Sequence, residues 1–301
     1  MEEAEISTLT EAGRASWLVR GSRLSSFPLV CAVVNLTDDS FFPGSRASAD
    51  PSQALLMCEQ ALELGADIVD LGAESTRPGS DPITETEELR RLIPVLNGLV
   101  EKVAHYRTEK PRWISVDTYK PKVAREVLEI GADIVNDISG MTFGNREGML
   151  EVLAESDCGY VLMHTAGRPK VMQELAHYED VVSEVENFFK LSLNLLRSHG
   201  IDPERVALDP GIGFGKKLKH NLALMRAAGR FRELGRPLLY GVSRKSWLGE
   251  VTGRPVEERL PGTIAAHAYL LLQGVEIIRV HDVAEAVDTL KVVAALSGRQ
   301  A

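Results

Sequence analysis

The sequence has 301 residues, 44% of them hydrophobic and 26% charged, with a formal net charge of -9. This composition is typical of a globular protein with a large core. The negative charge disfavours nucleic acid and anionic membranes as partners, because like charges repel over distance.

The start of the chain and its cysteines favour a cytoplasmic protein. The first residues, Met1 to Glu5, lack the basic stretch and apolar run of a secretory signal. No apolar stretch approaches about 20 residues, so no transmembrane helix is predicted. The three cysteines are scattered and form no Cys-x-x-Cys pair, which indicates reduced core thiols rather than a zinc or redox motif.

The distribution of polar and apolar residues divides the chain into two regions. Residues 1–27 form a polar N-terminal extension, with a short hairpin predicted around Trp17 to Arg20 and Phe27. Residues 28–301 form one domain, because α/β barrels of about 250 residues fold as a single unit.

Eight short apolar runs alternate with amphipathic segments along this domain. The runs are rich in β-branched residues and continuous, which is typical of parallel strands covered on both faces. They are residues 29–34, 68–71, 113–116, 134–135, 160–163, 206–208, 238–240 and 277–280.

The segments between the runs carry helix signals. N-terminal capping patterns begin at Asp50, Thr84 and Asp282. Glycines at 65, 131 and 200 suit left-handed residues at helix ends. Eight strand–helix units with right-handed crossovers close most simply into an α/β fold of the single (β/α)₈ TIM-barrel type. An open doubly wound sheet is the main alternative, and it requires a reversal of strand order.

Polar residues follow nearly every predicted strand, at the barrel end where catalytic groups lie. Singly, each has an ordinary explanation. Asp117 can cap a helix, Asn136 can satisfy a loop, His164 can be a hydrogen-bonded rim histidine, and Lys245 can be a solvated charge. Together, acids, amides, bases and hydroxyls at adjacent strand ends indicate a site for a polar ligand.

Familiar nucleotide and metal motifs do not fit these strand ends. The stretch from Gly211 to Lys216 is not a dinucleotide fingerprint, because its third glycine comes one residue early. It is not a Walker P-loop either, because Pro210 occupies the position of the first glycine and Lys217 the position of the serine or threonine. The stretch from Asn35 to Thr37 lacks the His-x-His pair of metal-dependent barrel hydrolases. A catalytic zinc set is therefore not predicted.

Six motifs, in order over residues 29–295, closely resemble those of the dihydropteroate synthase family. They begin at Glu74, Ser115, Asn136, Asp209, Ser243 and Arg279, in the stretches ESTRPG, SVDT, ND, DPGIGFGK, SRKS and RVHD. The resemblance implies a pterin-binding TIM barrel. It also implies the condensation of 6-hydroxymethyl-7,8-dihydropterin pyrophosphate with p-aminobenzoate to 7,8-dihydropteroate, with release of pyrophosphate.

The resemblance also implies a pterin pocket at the barrel mouth. Asp209 is expected to accept two parallel hydrogen bonds from the pterin edge, and Asn136 to read the neighbouring edge. Arg279 is expected to lie on the ring face. The full set is Asp117, Asn136, Ile138, Met163, Asp209, Phe214, Lys245 and Arg279.

Two further subsites follow from the same resemblance. Pyrophosphate is assigned to Asn35, Thr76, Arg77, Arg279 and His281, with Asn35 helping to hold Mg²⁺. The p-aminobenzoate pocket is assigned to Phe41, Thr76, Pro78, Lys245 and Ser246.

The catalytic residues expected from the resemblance are Asp117, Lys245, Arg279 and His281. Arg279 and His281 are expected to neutralise the leaving pyrophosphate, and Lys245 to orient the substrates rather than act as a base. A homodimer through the late barrel helices is the expected assembly.

One loop departs from the family pattern. The loop after the first barrel strand has Asp38 in place of a proline and Pro43 in place of an aspartate, whereas Asp39, Ser40 and Phe41 keep their places. A subfamily variant with normal activity is the favoured interpretation. The loop variant supports one alternative, a pterin-binding paralogue without catalysis. A separate alternative for the whole chain is a barrel that transfers methyl from methyltetrahydrofolate to a corrinoid protein, but it does not require the SRKS stretch or Thr76 and Arg77.

Overall fold

A computed structural model describes residues 15–37, 50–77, 79–106 and 111–298. Phe41 and Pro78, assigned to the p-aminobenzoate pocket, and the variant positions Asp38 and Pro43 lie outside these ranges.

An N-terminal hairpin is present at Trp17 to Arg20 as predicted, but its second strand ends before Phe27. The hairpin closes the lower end of the barrel. It consists of the antiparallel strands β1, Trp17–Val19, and β2, Ser22–Leu24. Trp17 is completely buried, and its indole Nε1 donates to the carbonyl oxygen of Arg205 at 2.7 Å. A Cβ at Gly159 would lie 2.8 Å from Val19, so the glycine makes room for the hairpin.

Eight parallel strands form the barrel. Each coincides with one of the predicted apolar runs, with ends that differ by no more than two residues. They are β3 (Leu29–Asn35), β4 (Ile68–Gly72), β5 (Trp113–Asp117), β6 (Ile134–Asp137), β7 (Gly159–Met163), β8 (Val206–Asp209), β9 (Leu239–Gly241) and β10 (Ile277–Val280).

The strand order excludes an open doubly wound sheet. Neighbours follow the chain from β3 to β8, and β10 pairs in parallel with both β3 and β9. A parallel bridge between Leu208 and Leu238, with a 2.8 Å hydrogen bond from Leu208 N–H to the Pro237 carbonyl, joins β8 to the start of β9. The ring is therefore closed, as the (β/α)₈ prediction requires.

Helices cover the outside of the ring and connect its strands. Within the described ranges, no helix combines the length and the apolar character needed to cross a membrane. The helices are α1 (Pro51–Glu63), α2 (Glu85–Tyr106), α3 (Pro121–Ile130), α4 (Arg146–Glu155), α5 (Val181–Ser198), α6 (Leu218–Arg226), α7 (Ala228–Arg232), α8 (Ser246–Thr252), α9 (Leu260–Leu272) and α10 (Val283–Leu296).

Two of the three predicted caps are confirmed, and one is wrong. Asp50 accepts from the Ser52 N–H at the start of α1, and Thr84 accepts from the Glu87 N–H at the start of α2. Asp282 stands at the N-cap position of α10, but its side chain makes no capping bond. Both carboxylate oxygens instead accept from the guanidinium of Arg244, each at 2.8 Å.

Alternate residues of each strand belong to two different hydrophobic cores, because successive side chains of a strand face opposite sides of the sheet. One set, such as Val30 and Val69, packs outward beneath the helices. The other set, such as Cys31 and Ile68, faces into the lower barrel with Trp17. Many inward positions nearer the strand ends are polar, among them Asp70, Asp117 and Asp209, and this change of side-chain type produces the site.

Candidate active site

Inward residues at the carboxyl ends of four neighbouring strands lie in one row. The register pairs Asn35 with Gly72, Gly72 with Asp117, and Asp117 with Asn136. A Cβ at Gly72 would lie 3.4 Å from Asn35 Oδ1 and 3.7 Å from Asp117 Cβ. The glycine therefore leaves space at the mouth between an amide and a carboxylate.

Arg279 reaches into this row from β10. Its Nε donates to Asp70 at 2.7 Å, and its Nη2 donates to Asp117 at 3.2 Å. Burial alone would lower the pKa of Arg279, but the two carboxylates raise it above its ordinary value. Burial raises the pKa of Asp117 well above its usual range, and Arg279 opposes that shift. The single positive charge of Arg279 therefore pairs with two buried carboxylates, Asp70 and Asp117.

Asp209 and Lys245 form a second charged group at the mouth. Asp209 is almost fully buried, and its carboxylate accepts from the Gly211 N–H at 2.7 Å. Burial raises the pKa of Asp209, while the nearby positive charge of Lys245 opposes the shift. Burial lowers the pKa of Lys245 to about 8, and Asp209 opposes that shift in turn. At neutral pH Lys245 is therefore mainly protonated, as an orienting group requires.

The three predicted apolar wall residues lie together at the mouth. Ile138 and Met163 are buried in one cluster with Tyr119, and Phe214 packs against it. The ammonium group of Lys245 lies 4.8 Å from the centroid of the Phe214 ring. An apolar surface therefore stands beside the acid and the cation, an arrangement suited to a heterocycle with a polar edge.

The loop after β8 is shaped by packing against the loop after β7. Gly211 and Gly215 have φ angles of +67° and +61°, which favour glycine. A Cβ at Gly211 would lie 2.0 Å from the His164 carbonyl oxygen, and one at Gly215 would lie 2.4 Å from Ala166. These two glycines therefore allow two protein loops to approach each other, a role that we had not predicted for them.

Lys216 lies beneath the same loop. Its ammonium nitrogen contacts His164 Nδ1 at 3.1 Å and donates to the carbonyl oxygens of His164 and Phe214. Burial lowers the pKa of Lys216 to about 7 and that of His164 well below its usual range. His164 is thus the hydrogen-bonded histidine that the sequence indicated.

His281 follows β10 and lies beside Ser243 and Arg279. Its Nδ1 lies 3.1 Å from the Ser243 hydroxyl. Burial, followed by the positive charge of Arg279, lowers the pKa of His281 to about 4. The imidazole of the ligand-free site is therefore neutral at neutral pH.

The loop after β4 lies at the same end of the barrel and carries Thr76 and Arg77. Glu74 anchors it by accepting from the Tyr119 hydroxyl at 2.9 Å and from Lys120. The Gly79 N–H donates to the Pro169 carbonyl oxygen of the loop after β7 at 3.1 Å. The loops after β4 and β7 therefore meet beside the mouth.

Ser246 begins α8 and is exposed, directly after Lys245.

A magnesium ion fits the donors present. The described residues contain no group of three or more His, Cys, Asp or Glu side chains arranged for a metal. Magnesium commonly uses one or two protein oxygens together with phosphate oxygens and water. The side-chain oxygen of Asn35 at the end of β3 can supply one of these.

Asp70 is the main site residue that the sequence analysis missed. It is completely buried in the middle of β4 and contacts Ser115, Asn136 and Arg279. The available signal was a charged residue inside a run of otherwise apolar strand residues. Lys216 and Tyr119 were also missed, although both belong to or adjoin quoted motifs.

Comparison with known proteins agrees with this geometry. The family described as pterin binding enzyme matches residues 31–281. The dihydropteroate synthase of Escherichia coli K12 is 40% identical over 276 residues, which cover 91% of this chain and 94% of that protein. The chain belongs to the dihydropteroate synthase family.

Solved structures of dihydropteroate synthases match over nearly the whole chain. A Yersinia pestis enzyme in a sulfonamide drug complex superposes with a TM-score of 0.85 at 36% identity, covering 94% of this chain and 99% of that one. A Xanthomonas albilineans enzyme with 4-aminobenzoic acid gives a TM-score of 0.84 at 38% identity, covering 95% and 100%. The family fold therefore extends over the barrel and its mouth.

Proposed function

We propose that the barrel mouth joins a dihydropterin pyrophosphate to p-aminobenzoate, forming 7,8-dihydropteroate and releasing pyrophosphate. The observation that carries this proposal is the placement of buried Asp209 beside protonated Lys245 and the apolar surface of Met163 and Phe214. A flat heterocycle with donors on its edge matches all three features.

Pterin binding uses both charged groups. Asp209 accepts from the ring N–H and the adjacent amino group, and Asn136 contacts the neighbouring edge. The flat ring lies against Ile138, Met163 and Phe214. Burial removes competing water, so each of these hydrogen bonds discriminates strongly against heterocycles that lack the donor.

The leaving pyrophosphate lies near Arg279 and His281, with Thr76 and Arg77 on the adjacent loop. Arg279 is always protonated. Its guanidinium can donate a further hydrogen bond to a phosphate oxygen while it keeps its bonds to Asp70 and Asp117. A neutral His281 donates a hydrogen bond, and an approaching pyrophosphate favours its protonation. Mg²⁺ held by Asn35 and phosphate oxygens would supply further charge neutralisation to the leaving group.

In the bond-changing step, the bond between the pterin methylene carbon and the pyrophosphate oxygen breaks, and pyrophosphate keeps the electron pair. The aryl amine nitrogen forms the new bond to the same carbon and then loses one proton. Protonated Lys245 does not accept this proton at neutral pH, so pyrophosphate or solvent takes it. Lys245 instead orients the substrates.

p-Aminobenzoate is assigned to the outer side of the mouth. Lys245 and the exposed Ser246 hydroxyl stand there, next to the loop that carries Thr76. Sulfonamides resemble p-aminobenzoate in shape and charge. They should therefore raise the apparent KM for p-aminobenzoate without changing kcat.

Pyrophosphate release, measured with both substrates and with or without Mg²⁺, tests the function directly. Release that requires p-aminobenzoate and Mg²⁺ is expected, and omission of p-aminobenzoate is the control. A protein that binds the pterin but releases no pyrophosphate would instead be the non-catalytic paralogue. Methyl transfer from methyltetrahydrofolate to a corrinoid protein would identify the second alternative.

We further propose a homodimer formed through the late barrel helices. Apolar side chains with 41–83% exposure are found on α8, α9 and α10, a concentration that suits a protein interface. Sedimentation should give twice the monomer mass, and a variant carrying both Leu272→Glu and Val292→Glu should be monomeric. The exposed apolar side chains on these three helices are Val251, Tyr269, Leu272, Val292 and Leu296.

A cytoplasmic location is also proposed. Cys31, Cys58 and Cys158 are all buried and free. A reducing compartment preserves such thiols. Fractionation of the native cells, followed by an activity assay of each fraction, tests this assignment.

A further inference from the structure

We propose that Asp70 is a positioning residue that fixes which end of the Asn136 amide faces the pterin. This inference rests on the proposed pterin site, and it concerns a residue that does not itself reach the ligand.

The depth of Asp70 in the barrel determines what it can touch. It precedes inward-facing Gly72 by two residues on β4, so it faces inward about 7 Å deeper along the strand. Gly72 is level with Asp117, and Asp117 is level with Asn136. Asp70 therefore lies below the row that meets the ligand, and it is completely buried.

The contacts of Asp70 identify the orientation of the Asn136 amide. Asp70 Oδ2 accepts from Arg279 Nε at 2.7 Å, and it lies 3.0 Å from the Asn136 side chain. Arg279 can only donate, so Asp70 Oδ2 is an acceptor. The Asn136 atom facing it must therefore be Nδ2, because an amide oxygen there would place two acceptors in contact.

The other end of the amide follows from this constraint. Nδ2 points down to Asp70, so Oδ1 points away from Asp70 and towards the mouth. Among the described residues, Asn136 Oδ1 has no hydrogen-bond donor. Asn136 thus presents an acceptor to the ligand, as Asp209 does, and the pocket selects a heterocycle with donors on both edges.

Ser115 completes the environment of Asp70 without reaching Asn136. Its hydroxyl donates to Asp70 Oδ1 at 2.6 Å, on the other carboxylate oxygen. Removing that hydroxyl changes the surroundings of Asp70 but leaves the Asp70–Asn136 contact in place. Ser115→Ala is therefore the matched control.

The experiment measures the affinity for 6-hydroxymethylpterin, which lacks the pyrophosphate and so does not report on phosphate contacts. Asp70→Asn replaces the acceptor with an amide that can donate to Asn136 Oδ1, which allows Asn136 to turn over. We expect the affinity to fall about tenfold to a hundredfold, as for a buried hydrogen bond lost. Ser115→Ala should stay within about twofold.

A double-mutant cycle with Asn136→Ala separates positioning from a general structural effect. If Asp70 acts through Asn136, Asp70→Asn should change the affinity by less than about twofold in the Asn136→Ala background. An equal loss in both backgrounds would overturn the inference. If wild-type protein does not bind the pterin at all, the proposed function fails instead.

A second measurement covers the case in which Asp70→Asn does not fold. In wild-type protein labelled with ¹⁵N-asparagine, the Asn136 side-chain amide is assigned by its loss in Asn136→Ala. One of its N–H protons should exchange slowly with solvent in the free protein. Rapid exchange of both protons would contradict the contact with Asp70.

Discussion

Arg279 Nη2 lies 3.2 Å from the carboxylate of Asp117, linking the end of β10 to the end of β5 across the mouth. The guanidinium is thus held before any substrate arrives, and its position depends on two acids as well as on its own strand. Preorganised charge of this kind stabilises a leaving group without reorganisation during the reaction.

Arg279→Ala should therefore lower kcat/KM by about a hundredfold to a thousandfold, the loss typical of removing one preorganised hydrogen-bond donor to developing charge. The change also leaves Asp117 without its cation. Steady-state kinetics at saturating Mg²⁺ measures the effect, and Arg90→Ala, which changes an exposed side chain of α2, is the control. Normal kinetics together with lowered stability would show that Arg279 is only structural.

Asp209→Asn should abolish measurable pterin binding, because the amide offers one acceptor where two parallel donors must be received. The replacement has nearly the same shape, so the fold should be retained. Calorimetry with the free pterin gives the affinity, and the thermal midpoint monitors folding. Unchanged affinity would remove Asp209 from the pterin site.

The rate should fall as the pH rises through about 8, where buried Lys245 loses its proton. The pKa of this lysine is depressed, so the charged form is present below that pH and is lost above it. The pH profile of kcat/KM reports the free enzyme. Lys245→Arg stays protonated and should move the alkaline limb upward. An unmoved limb would assign it to another group.

Trp17→Ala should destabilise the protein by about 3–5 kcal/mol, the usual cost of removing a large buried aromatic side chain. Trp17→Phe keeps most of the bulk but loses the hydrogen bond to the Arg205 carbonyl, so about 1 kcal/mol is expected. Denaturant unfolding measures both. Since the hairpin lies at the end opposite the site, kcat should stay near the wild-type value, and a large fall would contradict this separation.

The barrel was predictable because its strands carry a strong local pattern. Continuous β-branched runs such as 29–34 and 277–280 can be buried on both faces only in a parallel sheet covered by helices. The polar residues after those runs were equally visible. Eight parallel strands that close into a barrel bring their carboxyl ends to one mouth. Asp117, Asn136 and Arg279 all stand near such strand ends, so the sequence alone predicts that they lie close together.

Contacts between residues distant in the chain were not predictable. Nothing next to Asp282 shows that Arg244 takes both of its carboxylate oxygens, which leaves α10 without a side-chain cap. The neutral state of His281 depends on burial and on Arg279, and neither is a property of the local sequence. Asp70 was overlooked for the same reason, because its partners come from three other strands.

The hairpin that fills the lower barrel also bears on how the chain is made. Trp17 leaves the ribosome early, yet the carbonyl that accepts its N–H belongs to a residue 188 positions later. During synthesis this large aromatic surface must wait for most of the barrel to emerge. The hairpin is therefore among the last segments to reach its final place, so nascent chains expose an apolar surface that favours aggregation until the later strands have been made.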